Sequence, residues 1–296
     1  MITLLDAVRR HADAHADADG IGHTPVRGLF TVRASAASDL VFAISRPLVC
    51  LVVQGSKRVT MGGDVFAFSA GDSLMIAADV PTISQITEAS VGAPYLSLVL
   101  ELDPALIAEL AVEIEVAAAP DLKPVHVEPT EADVAGTALR LMQLLDRPAA
   151  VPVLARDLLR EMHYWLLAGR HGAAIRRLGW PDGQVERLAR AVAVLRAEFS
   201  RPLPVERLAA VAGMSPSSFY EHFRAVTSLS PLQFQKQLRL IEARRLMVAE
   251  GATATSAAFA VGYQSVTQFT REYGRLFGRP PVTDVRAARQ TASSAA

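Results

Sequence analysis

One pattern occurs twice in the C-terminal third of this chain. A short Ala-rich run meets a glycine and a bulky residue, and a serine then opens a helix with aromatic residues at i, i+4. The first copy is 205–212, then Gly213-Met214, Ser215-Pro216, and Phe219 with Phe223. The second is 255–261, then Gly262-Tyr263, Ser265, and Phe269, Tyr273 and Phe277. Glycine supplies the left-handed turn that other residues avoid. Serine caps free helix amides, and proline sits where its missing N–H costs nothing. The i, i+4 aromatics form a buried stripe and leave the other faces polar. Helix, tight turn, second helix is the helix-turn-helix pattern, whose second helix enters a DNA major groove.

Ser217, Tyr220, Glu221 and Arg224 point outward from the first such helix. From the second come Thr267, Gln268 and Arg271, with Ser265 at its start and Arg275 one turn on. Arginine pairs with guanine, glutamine with adenine, and threonine meets a thymine methyl or a phosphate. Residues 231–248 read as one helix joining the copies. At 1.5 Å per residue it is roughly 27 Å long, which suits recognition helices about 34 Å apart, one DNA turn. Its Arg239, Arg244 and Arg245 are expected to divide between internal ion pairs, with Glu242 or Glu206, and phosphates. Charge agrees with this. The whole chain is neutral, with 30 Lys+Arg and 30 Asp+Glu, but from Gly183 onward 15 basic residues face 8 acidic ones. A basic C-terminal part beside an acidic N-terminal part suits a nucleic-acid binder with a separate partner domain.

The rest of the chain has another texture. An amphipathic helix is expected before Asp19, on Leu4, Leu5, Val8 and Ala12. From 28 to 101, short β-branched runs (48–53, 65–68, 74–77 and 95–100) alternate with Gly, Asp and Pro turns, as in a barrel or sandwich. Asp103-Pro104 opens a helix to about Glu113. A Pro-rich loop follows, then two helices with wide apolar faces, from Thr130 and at 151–168. Gly179-Trp180-Pro181-Asp182-Gly183 reads as part of a linker. The expected fold is α+β in two domains. A cupin-like β-barrel (28–101) with flanking helices (130–170) makes an effector-binding and dimerisation domain, 1–171. A linker, 172–183, leads to an all-α double helix-turn-helix domain, 184–296. The single cysteine excludes an intrachain disulfide and suits a reducing cytoplasm. The N-terminus lacks a signal-peptide pattern, and no apolar run approaches the ~18 residues of a membrane span, so a cytoplasmic chain without a membrane role is expected.

The C-terminal residues resemble the AraC/XylS family of bacterial transcription regulators. The likeness spans about 95 residues. It runs through Leu208-Ala209, Gly213-Met214-Ser215, Phe219, Phe223, Ser230-Pro231, Arg239-Leu240 and Ala243-Arg244-Arg245-Leu246. It continues from Ala258 to Gly262-Tyr263, then Ser265, Phe269, Arg271, Phe277-Gly278 and Pro280. The resemblance implies a seven-helix domain whose two recognition helices contact promoter DNA. By position, base contacts fall on Ser217, Tyr220 and Glu221, and on Thr267, Gln268 and Arg271. Two residues depart from the family pattern. Ser228 stands where glycine is common, at a cost of about 1 kcal/mol if its φ is positive. Glu221 repels phosphate, so the first helix is expected to contribute less affinity. Around Val53-Gln54-Gly55-Ser56-Lys57 and Ala70-Gly71-Asp72 the chain resembles the effector domain of one branch of that family. This implies a small organic effector in the barrel, a homodimer formed by the neighbouring helices, and RNA polymerase as a partner if the output is activation.

Candidate effector-pocket residues are Cys50, Phe42, Phe66, Phe68, Met61, Met75 and Tyr95, though a small barrel fills much of its own interior. Cys50 is either a buried small hydrophobe or a thiol that meets an electrophilic ligand. No cofactor, metal site or catalytic set is expected. The barrel segment has no histidine from 28 to 101, His11 and His15 are only an i, i+4 pair, and His126, His163 and His171 are scattered. The competing readings are a barrel enzyme fused to a DNA-binding domain, and an effector-independent DNA-binding protein.

Overall fold

The structure is a computed structural model and describes residues 2–114, 124–176, 178 and 183–294. No helix among them is long and apolar enough to cross a membrane. The chain divides into two compact units, Met1–Glu186 and Arg187–Ala296.

The first unit opens with α1 (Leu4–His15), capped by a reciprocal Thr3–Asp6 box. Nine strands follow: β1 (Ile21–His23), β2 (Leu29–Ala34), β3 (Val41–Ser45), β4 (Leu48–Gln54), β5 (Ser56–Met61), β6 (Asp64–Ser69), β7 (Asp72–Ile76), β8 (Val80–Glu88) and β9 (Tyr95–Glu101). After α2 (Pro104–Glu113) comes β10 (Val125–Pro129), then α3 (Ala132–Leu144), a 3-10 turn at Pro148–Ala150, α4 (Val151–Ala168) and α5 (Gly172–Arg176). The strands form two antiparallel sheets, β1-β2-β9-β4-β7-β10 and β3-β8-β5-β6, a barrel-like sandwich.

Burial explains the continuous apolar runs in β4 and β9. A strand covered on both faces has no reason to alternate. On one face of the six-stranded sheet Val49, Leu51, Met75, Leu96, Leu98 and Leu100 share a core with Val8, Ala12, Leu141 and Met162 of the helices. Cys50, Leu74 and Val99 are paired across the opposite face. The structure adds β1 and β10 to the barrel expected at 28–101. The Pro-rich loop reading hid β10, which tolerates Pro129 because it is an edge strand, paired to β7 alone.

Asp103 caps α2 as expected, accepting from the amides of Ala105 and Leu106. α3 starts without a side-chain cap. The expected linker 172–183 is corrected at its start. Gly172–Arg176 is helical and Ile175 is fully buried in the first unit's core, because this apolar turn packs where a linker would be solvated. Residues 179–182 lie outside the described residues.

The second unit holds seven helices among the described residues: α6 (Gln184–Glu198), α7 (Val205–Val211), α8 (Pro216–Thr227), α9 (Pro231–Ala249), α10 (Ala254–Ala260), α11 (Val266–Phe277) and α12 (Pro281–Ser294). α9, with 19 residues, is roughly 28 Å long. Ser230 and Gln233 cap it reciprocally, a signal the sequence reading passed over. Helices α7–α8 and α10–α11 are the two helix-turn-helix pairs. At Gly262, φ is +90° and any Cβ would overlap the carbonyl of Ser200, so glycine is demanded twice over.

Candidate nucleic-acid interface and effector residues

Each second helix is anchored by its aromatic stripe. In α8 Phe219 and Phe223 are fully buried, and the Phe223 ring meets Phe234 of α9 edge-on at 5.3 Å. In α11 Phe269 and Tyr273 are fully buried, with Tyr263 against Phe269 at 5.4 Å. Phe277 is only half-buried. Ser215 and Ser265 accept from the amides of Ser218 and Gln268, so Ser265 serves α11 as its cap.

The stripes leave one face of each helix to solvent. On α8 these residues are Ser217, Tyr220, Glu221 and Arg224, and on α11 Thr267, Gln268, Arg271 and Arg275. Gln268 is held by Glu272 at 3.1 Å. Arg224, Arg271 and Arg275 have no intramolecular partner among the described residues.

The scaffold cations behave differently. Arg187 bonds the carbonyls of Ala212 and Gly213, Arg207 pairs with Glu198, and Lys236 with Glu272 at 2.7 Å. Arg239 donates to the carbonyls of Phe199, Arg201 and Gly262. Arg244 bonds Asp284 at 2.8 Å, and Arg245 bonds Glu242 and Glu250. The expectation that some arginines of α9 remain for phosphates is therefore corrected. Arg239 ties α9 to neighbouring turns and Arg244 ties it to α12, Arg245 pairs within α9 and its C-terminal cap, and Glu206 is in none of these pairs.

Burial pushes up the pKa of the Glu272 carboxyl, but hydrogen bonds from Lys236, Gln268 and Tyr263 outweigh it and hold the group below its usual value. The Tyr263 and Tyr273 hydroxyls are pushed up by burial and by their carboxylate acceptors, so both stay protonated donors.

The candidate effector residues do not share one wall. Cys50 and Tyr95 meet, with Sγ and the phenol oxygen 3.8 Å apart, and both are buried. Cross-strand pairing puts Phe66 beside Val59, and Phe68 beside Lys57, on the face of the four-stranded sheet that also carries Met61. Phe42 pairs with Ile83 on the other face of that sheet. Met75 lies in the core under the helices, on the far side of its sheet from Cys50. Both departures follow from the period-two alternation of strands, since an odd offset in register reverses the face.

Sequence reasoning also missed two histidines with packing roles. His163 Nε2 accepts from the Asp103 amide at 3.0 Å and its Nδ1–H donates to the Leu159 carbonyl at 2.8 Å; burial holds the ring's pKa below the usual histidine value, against the opposing pull of the Leu159 carbonyl. His171 Nε2 lies 2.8 Å from the Ser73 hydroxyl. Their chain separation from these partners hid both. Among the described residues no three His, Cys, Asp or Glu side chains are arranged to hold a metal.

Comparison with known proteins places this geometry. "RCS-specific HTH-type transcriptional activator RclR" of Escherichia coli (strain K12) is 38% identical over 77 residues, 26% of this chain and 27% of that one. "Uncharacterized HTH-type transcriptional regulator YobQ" of Bacillus subtilis (strain 168) is 29% identical over 90 residues, 30% of this chain and 37% of that one. The chain thus spans about a third of the length of such curated relatives. An apo point variant of ToxT from Vibrio cholerae shares the fold, with a TM-score of 0.59 at 9% identity over 89% of this chain and 98% of that one. A helix-turn-helix domain model matches residues 208–287. The model described as AraC-type transcriptional regulator N-terminus matches residues 25–174, half of the sequence, and the chain belongs to the AraC-type family of transcriptional regulators.

Proposed function

We propose that this protein is a sequence-specific promoter-binding regulator whose N-terminal unit senses a small organic effector. The observation that carries the reading is the contrast among the arginines of the second unit. The scaffold arginines of α9 are consumed by internal bonds, whereas Arg224, Arg271 and Arg275 project unpaired from the second helix of each helix-turn-helix. Unpaired guanidiniums on such helices suit guanine edges and phosphates. The role is regulatory and not catalytic, and a promoter-binding protein works in the cytoplasm, where the chromosome is.

The effector reading takes support from the fold relative ToxT, which has been crystallised with an unsaturated fatty acid and with a naphthyl-butenoic acid. Cys50, Tyr95, Met61, Phe66 and Phe68 remain the barrel residues proposed to meet an effector. Phe42 and Met75 leave that set on their sheet faces. The boundaries proposed are an effector and dimerisation part up to about 178, since Ile175 and Leu178 belong to its core, and a DNA-binding part from 184. A homodimer is proposed through α4, whose Val153, Leu154 and Tyr164 are exposed. RNA polymerase is the further partner if the output is activation.

A gel shift on DNA upstream of the protein's own gene and on genomic fragments, with salt titration, tests the core claim. A specific complex whose log K falls linearly with log salt is expected. No salt-dependent specific complex on any fragment would sink the reading. Melting shifts across aldehydes, aromatics and sugars test the effector, and a flat panel favours an effector-independent binder.

A further inference from the structure

The core-facing stripe of α4 continues to its N-terminal end, where Val151 is buried in the same core and Ala155 and Leu159 are only partly covered. In the C-terminal half Met162, Leu166 and Leu167 are buried. At about 3.6 residues per turn the same side of the N-terminal half carries Val151, Ala155 and Leu159. Those three line a cleft of about 920 Å³, to which α2 contributes Leu106 and the β1–β2 connection Val26. Small-molecule pockets run to roughly 300–1,000 Å³. The barrel candidates are not among the lining residues, and the exposed Val153 and Tyr164 lie on the opposite side of α4.

Six charged side chains line this cleft, and three are already engaged. Asp103 caps α2. Arg160 forks between Glu109 at 2.7 Å, also in the lining, and Glu113 at 2.7 Å. That leaves Arg27, Arg156 and Asp157. The two arginines are exposed and have no intramolecular partner among the described residues. The first turn of α4 holds no acidic residue and no side-chain cap, so the positive end of its dipole adds to theirs.

We infer that this cleft binds an amphiphilic carboxylate. Its apolar body lies along Val26, Leu106, Val151 and Leu159, and its carboxylate meets Arg27 and Arg156. Arginine recognises a carboxylate through paired N–H donors, which a neutral headgroup of the same length does not satisfy. The site is separate from the barrel, so it stands or falls independently of the effector reading above.

Titration calorimetry of the full chain with sodium decanoate, kept below its critical micelle concentration, tests the assignment. Saturable one-site binding is expected. Decanol and decyltrimethylammonium should bind at least tenfold more weakly. The double variant Arg27→Ala/Arg156→Ala should weaken decanoate at least tenfold with Tm unchanged, because neither side chain holds the fold together. Ala155→Trp, which fills the cleft, should remove binding, and the arginine pair decides the matter if that variant does not fold. Three results each overturn the assignment: no saturable heat, decanol binding as tightly as decanoate, or full affinity in the arginine double variant.

Discussion

The two helix-turn-helix modules share one plan and are held together by different chemistry. The first rests on rings, with Phe219, Phe223 and Phe234 all fully buried. The second carries polar chains through its core. Tyr273 donates to Asp284 at 2.7 Å, Arg244 bonds the same carboxylate oxygen, and Glu272 collects Lys236, Gln268 and Tyr263. Apolar packing is insensitive to pH and salt, whereas buried charge networks are costly to leave half-satisfied. The outward faces differ as well. α8 presents Glu221 beside Arg224, and α11 presents Arg271 and Arg275 with Thr267. We propose that the same backbone motif holds one module that mainly positions the protein and one better equipped to read bases.

The largest expected effect separates the two kinds of core. Phe223→Ala should destabilise the second unit by about 3–5 kcal/mol, the range for an aromatic lost from a closed core. Asp284→Asn should cost less, about 1–3 kcal/mol, since it weakens charge-assisted bonds without opening a void. Denaturant titration of both variants checks the order, and the reverse order would mean that the polar network is the stronger clamp.

Next comes the difference in reading. Arg271→Ala should lose about 1–3 kcal/mol of affinity for a specific DNA site, with specificity relaxed at one position. Glu221→Ala should change affinity by less than about 0.5 kcal/mol, or improve it by removing repulsion from phosphate. Fluorescence anisotropy on one duplex decides, and equal losses would mean that both helices read bases alike.

A smaller effect sits at the ends of these helices. Both stop in the left-handed region, α8 at Ser228 with φ 61° and α11 at Gly278 with φ 75°. Ser228→Gly should gain about 1 kcal/mol and Gly278→Ala should lose about as much, since nothing crowds a Cβ there and only backbone strain differs. Tm shifts of opposite sign check the pair.

The smallest effect is acid sensitivity. The Glu272 carboxyl is held below its usual value in the folded state, so its contribution is complete above the unfolded value and is lost as pH falls through the folded one. Tm should therefore decline in acid, and Glu272→Gln should flatten that decline. A Tm–pH profile identical in the variant would remove Glu272 from the account.

Much of this was legible in the chain because the signals are local. Glycine turns, serine caps and i, i+4 aromatics each depend on a few neighbouring residues. Their order located α8 and α11 and their outward faces. Asp103-Pro104 marked α2 in the same way. What stayed hidden depends on distant partners. β10 pairs with β7 some fifty residues away, and its sequence reads as a Pro-rich loop until an edge is available to it. Met75 and Cys50 look equivalent as pocket residues, yet alternation along paired strands sets them on opposite faces. Arg244 reads as a cation for phosphate until Asp284, forty residues on, takes it.

By itself, then, the sequence determined the helices of the repeated motif, the start of α2 and the strand-rich texture of 28–101, and which residue types face outward from the motif, because backbone conformation and periodicity are short-range properties. Tertiary structure decided which of the outward cations are free. It also decided which face of each sheet is interior and where the covered side of α4 is left partly open to form a cleft, because those outcomes depend on which distant group arrives to desolvate or pair each side chain.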